Sequence, residues 1–156
     1  MHSQKFKYQE YLEKFPNCPP KLYGSMNKIA FRWVYKDNLK SSFYPLNFIN
    51  VPPPRVQDNT DLMCKGYGLS LFDTFENGIN RFKALYQKKR NVSHEDFLKD
   101  KGDSIAYLDL SEIGTGIYGD LNTQNGHFTF HEYDGIDLSG KVVNITNIFD
   151  SNGDFK

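Results

Sequence analysis

The sequence predicts an α+β domain: an antiparallel or mixed sheet crossed by one principal helix (about 74–88), with a short N-terminal helix and a strand-rich C-terminal half. Three observations predict it. Phe75, Ile79, Phe82, Leu85 and Tyr86 recur at helical spacing behind a capping signal. From residue 104 onward, short alternating runs rich in aromatic and β-branched residues are separated by Gly, Asn and Asp. Helical signals cluster early and strand signals late, so the regular strand–helix alternation of a doubly wound parallel sheet is missing.

A length of 156 residues fits one domain, 1–156, able to bury a core without metal or disulfides. The 13 Phe, 10 Tyr and 1 Trp make rings the main source of buried area. No apolar run is long enough for a membrane span, and Met-His-Ser-Gln-Lys leads into polar residues instead of a signal-peptide core. A cytosolic, non-membrane protein is therefore expected. Cys18 and Cys64 are isolated and far apart, a spacing that reads as two buried thiols.

Along the chain, Ser3 is placed to cap a helix over about 4–15, with Phe6, Leu12 and Phe15 on one stripe and Pro16 ending it. Cys18-Pro19-Pro20 is an extended connection. Residues 28–35 form a β-branched and aromatic run, the first strand. Residues 43–49 read as extended but broken at Pro45, and 50–63 as a surface loop around the stiff Pro52-Pro53-Pro54. A short strand over 66–72 runs into the principal helix, for which Asp73 and Glu76 form a capping-box pair. A second helix over about 93–100 has Ser93 as its cap and Gly102 as its stop. Strands follow at 104–110, at 115–121 and 127–133 as a hairpin around residues 122–126, and at 141–149.

Most motifs reduce to structure. His127 and His131 alternate along a strand, where four residues separate their rings by roughly 13 Å, so no metal is expected there. Residues 120–126 carry the alternating oxygens of a calcium loop, but the glycine falls one residue late and no acidic closing ligand follows, and 150–154, with similar residues, is expected to be a frayed tail. Lys88-Lys89-Arg90 suits a solvated helix C-terminus, so nucleic acid is not an expected partner. There is no dinucleotide fingerprint, Walker loop or nucleophile elbow.

Formal charge is zero but unevenly spread. Residues 1–60 carry nine Lys/Arg and four Asp/Glu, a balance of +5, while 101–156 carry three and nine, a balance of −6. If the fold keeps these segments apart, a non-enzymatic module presenting acidic C-terminal strands to a basic protein partner is one reading.

A second reading rests on an ordered constellation: Arg32 inside the first strand, Ser70 on the strand before the capped helix, then a late strand carrying His127, His131 and Glu132. This order resembles the ADP-ribosyltransferase superfamily. The resemblance implies NAD as cofactor, with Arg32 on its phosphate or ribose oxygens, Ser70 bracing the nicotinamide pocket, and Glu132 polarising a ribose hydroxyl. It also implies a stacking ring from Tyr67 or Phe72. Glu112 is a second available carboxylate, and strand parity makes His131 a pocket residue if Phe128 and Phe130 face the core.

Overall fold

The computed structural model describes residues 4–156. Among the described residues seven strands meet in one sheet: β1 (Gly24–Ser25), β2 (Lys28–Val34), β3 (Leu69–Phe72), β4 (Ser104–Leu110), β5 (Gly116–Gly119), β6 (His127–Glu132) and β7 (Val142–Asn147). Their order is β1-β5-β6-β3-β2-β4-β7, and every pairing is antiparallel. The expected α+β class with a strand-rich second half is therefore found. Among the described residues no helix is long and apolar enough to cross a membrane.

Alternation along the strands gives the sheet two buried faces. Ala30, Val34, Leu69, Leu71, Ala106, Leu108, Leu110, Phe128 and Phe130 share one core with Phe43 and Leu138. Phe31, Trp33 and Ile105 point the other way and pack with Phe82, Phe97 and Ile148. Helices α6 (Phe75–Lys88) and α7 (His94–Lys101) cover that second face, which we call the Trp33 face. Trp33 fixes the principal helix in place, donating from Nε1 to the Gly78 carbonyl at 3.0 Å. The first face, the Ala30 face, is covered by the residues before β3 and by the turn carrying Leu138.

Local signals were overridden where the sheet claimed their backbone groups. The cap of α6 is Thr74, whose hydroxyl accepts from Asn77, and not Asp73. The Asp73 N–H is still engaged with the Gly126 carbonyl at 3.0 Å, so helical geometry begins one residue later. Ser93 does cap α7, and Gly102 ends it at φ +114°, where a Cβ would collide with the Val34 backbone. Only α1 (Gln9–Leu12) survives of the expected helix over 4–15, because Phe6 bridges Tyr133 instead; Ser3 lies outside the described residues.

The first strand is followed by a short helix, α2 (Leu39–Ser42), and the stretch expected to be extended over 43–49 and looped over 50–63 is helical in short pieces: α3 (Leu46–Ile49), α4 (Pro54–Gln57) and α5 (Thr60–Lys65). Three of its prolines sit at helix starts. Pro45 and Pro53 precede α3 and α4, and Pro54 opens α4, where its missing N–H costs nothing. Asn38 and Asn59 cap α2 and α5 through their side chains. The cysteines are not independent thiols. Folding brings Cys18 and Cys64 to a Cα separation of 5.8 Å and they form a disulfide, although 46 residues separate them in sequence.

Phe82 is fully buried and makes edge contacts with Trp33 and Phe97. Phe82→Ala is expected to lower unfolding free energy by about 3–5 kcal/mol, read as the shift in a urea midpoint at unchanged slope. Thr74→Ala removes one cap bond and is expected to cost about 1 kcal/mol in the same assay.

Candidate functional site

β2 and β3 share a single register pair, Phe31 opposite Phe72. β2 pairs on its other side with β4 through seven. Arg32, the next residue, points to the Ala30 face beside this shallow junction. Its Nε donates to the Ser42 carbonyl at 2.7 Å and its Nη1 to the Ser70 carbonyl at 2.8 Å. One guanidinium thus ties the end of α2 to β3 across the place where the ladder stops. Burial lowers its pKa to about 10, against the opposing influence of Glu132 and Tyr8, so it stays a cation at neutral pH.

Glu132, at the end of β6, lies on the same face as Phe128 and Phe130 and hence as Arg32. Its side chain is 2% exposed, and Lys7 Nζ approaches Oε2 at 3.7 Å. Neither carboxylate oxygen accepts a hydrogen bond. Burial pushes its pKa up to about 7, which Lys7 and Arg32 offset only in part. Beside the pair, the Tyr8 hydroxyl is also buried without a partner, and burial first, then Glu132, pushes it up to about 12.

The other candidates separate from this pair. Ser70 is exposed and its side chain alternates away from Leu69 and Leu71, so Arg32 meets its carbonyl and not its hydroxyl. His131 points to the Trp33 face, walled by Phe6, Tyr23 and Gly68, where a Cβ would come within 3.0 Å of its ring. Desolvation lowers its pKa to about 4, so it is neutral, and Nε2 has no partner. Phe128 and Phe130 do face a core, and the opposite face at His131 is covered too, by Phe6 and Tyr23. Phe72 is buried between Trp33 and His127. Tyr67 lies at the edge of the Ala30 face with Tyr11 stacked on it at 5.3 Å. Glu112 is 85% exposed beside Lys141, which leaves Glu132 as the buried carboxylate near Arg32.

The basic and acidic halves interleave. Lys7 meets Glu132 and Lys65 meets Asp120, each pair joining early to late chain. Among the described residues no group of three His, Cys, Asp or Glu side chains is arranged to hold a metal. Compared with known proteins, the chain matches no protein-family model, no curated protein and no solved structure.

Sequence reasoning did not find Lys7, Tyr8 and Tyr11 as part of this region. The trace they leave is Phe6-Lys7-Tyr8, an alternating triplet ahead of a helix signal too weak to extend through it.

Glu132 and His131 give opposite pH dependences. The native state holds a proton on Glu132 between about 4.5 and about 7, where the unfolded chain has lost it, so this group stabilises at low pH and its contribution disappears as pH rises through 7. His131 is neutral in the native state above about 4 and protonated in the unfolded chain below about 6.5, so its effect runs the other way. Glu132→Gln should therefore gain stability relative to wild type as pH rises from 5 to 8, by about 2 kcal/mol. Urea titrations at a series of pH values read this difference, and a pH-independent difference would refute the assignment.

Proposed function

We propose that this domain is an NAD-using, ADP-ribosyltransferase-like protein, with Arg32 and Glu132 as its working pair. The observation that carries the reading is their placement on one face of the sheet. β2, β3 and β6, the strands bearing Arg32, Ser70 and Glu132, are neighbours at the centre of the sheet. One face of that trio carries a cation and a buried carboxylate whose oxygens accept no hydrogen bond, and each charge favours the ionised form of the other. Buried polar atoms left without partners are costly, and such sites are where function is sought.

The residues suit NAD in chemical type. Glu132 offers acceptor lone pairs for ribose hydroxyls, and Arg32 uses two of its N–H groups on carbonyls, leaving others for phosphate or ribose oxygens. NAD supplies a glycosidic bond to nicotinamide whose cleavage leaves positive charge on the ribose. Glu132 stabilises that charge electrostatically, with a large effect because its surroundings are dry. It does so only as a carboxylate, so activity should rise with pH through about 7. Arg32 stays charged throughout this range and anchors the oxygens. Ser70 holds Arg32 through its carbonyl, so its pocket-bracing role is carried by the backbone. Tyr67 is the ring on this face suited to stack a flat ligand, a place that Tyr11 takes in this structure.

The alternative reading, acidic strands offered to a basic partner, draws less support, since Glu112, Asp120 and Glu132 already face lysines of the same chain.

Thermal unfolding with and without NAD, together with nicotinamide release, tests the transferase reading. NAD at about 100 times its dissociation constant should stabilise the wild type by roughly 2.7 kcal/mol. Glu132→Gln should retain much of that shift and lose about 100-fold or more in nicotinamide release. Arg32→Lys should lose the shift. An absence of any NAD effect on the wild type, with its disulfide intact and also with it reduced, would end the transferase reading.

A further inference from the structure

Residues 5–15 already meet the groups on which the Arg32–Glu132 site depends. Lys7 donates its N–H to the Glu132 carbonyl at 3.1 Å, and Asp134 donates to the Lys5 carbonyl at 2.7 Å, so the segment lies as an extra strand beside the end of β6. From there the Lys7 ammonium reaches the Glu132 carboxylate. Tyr8 buries its hydroxyl and sets its ring on Phe48 at 4.7 Å. Tyr11 covers Tyr67 with an interplanar angle of 27°, the position a flat ligand ring would take.

The segment has little order of its own. Its one helical turn, Gln9–Leu12, has no side-chain cap bond, and a single turn is not stable in isolation. Leu12 anchors it at 1% exposure, and ring contacts hold the rest. Six residues after Leu12 the chain reaches Cys18, bonded to Cys64 near the end of α5 and three residues before Tyr67. The covalent tie therefore sits next to the ring that the segment covers. Such a tether keeps the segment at high effective concentration over its seat.

We propose that residues 5–15 are an occluding strap over the face of the sheet that carries Arg32 and Glu132, latched by the Cys18–Cys64 disulfide and released when a dithiol reduces it. The inference rests on the reading of that pair as the site. In the chemical step a dithiol's thiolate attacks the sulfur of Cys18, the less buried of the two cysteines, and forms a mixed disulfide while Cys64 leaves as a thiolate. The dithiol's second sulfur then displaces Cys18. The S–S bond of the protein is broken, its two sulfurs gain two electrons and two protons, and the dithiol ends as a disulfide. In an oxidising compartment the strap stays closed, and in a reducing one it is free to leave.

Amide hydrogen exchange followed by NMR and NAD binding, measured on the same samples, test this. The samples are the oxidised wild type, the wild type reduced with dithiothreitol, and the Cys18→Ser/Cys64→Ser double variant. Opening the latch should speed exchange at the Lys7 and Asp134 amides at least about tenfold, leave β2 and β4 amides protected, and raise NAD affinity by a comparable factor, because the competent fraction grows. Tyr11→Ser, with the disulfide kept, should give a smaller change of the same sign. Faster strap exchange without any NAD binding would uphold the latch and refute the NAD reading. Equal NAD affinity in oxidised and reduced protein would overturn the latch and leave that reading standing. The latch also falls if the strap amides stay protected after reduction, or if β2 and β4 lose protection with them, which would make the bond a support of the whole fold.

Discussion

β2 and β3 meet at one register pair, and the guanidinium of Arg32 closes the junction beyond it. Much of the Ala30 face depends on that arrangement. A cation in a mostly covered position needs acceptors, and it takes carbonyls from Ser42 and Ser70, on segments 28 residues apart in the chain. The same charge is felt at Glu132, two strands away, where a carboxylate remains without hydrogen bonds.

The two faces of the sheet divide the work. On the Trp33 face, α6 and α7 bury a ring-rich cluster around Phe82, and His131 is held neutral behind Phe6 and Tyr23. On the Ala30 face the cover consists of short, separately capped helices and an N-terminal segment whose hold is partly covalent. Helices this short draw their stability from tertiary contact and not from their own hydrogen bonds. The partnerless buried oxygens of Glu132 and Tyr8 lie on that side.

Legibility in the sequence followed how locally each feature is determined. The principal helix, α7 with its Ser93 cap, and the strands near 28–34 and 104–110 were readable because period, caps and turn residues are encoded within a few residues. The cap of α6 shifted by one residue because a distant carbonyl, that of Gly126, claimed the Asp73 N–H. The Pro-rich stretch hid two helices, since proline marks a helix start as readily as a loop. Of the proposed constellation, the carriers Arg32 and Glu132 were legible as types in order along the chain. The side of the sheet each would face, and whether both sides would be covered, were not.

By itself the sequence determined the class of fold, the principal helix, the strand segments and the preponderance of rings in the core, all of which follow from periodicity and side-chain chemistry over short spans. Only the tertiary structure decided that Cys18 finds Cys64, that the basic and acidic halves interdigitate, and that Lys7 and Tyr11 lie over Glu132 and Tyr67. Each of these joins residues tens of positions apart. Such contacts are set by strand order and by competition for backbone hydrogen bonds, and neither leaves a periodic mark in the chain.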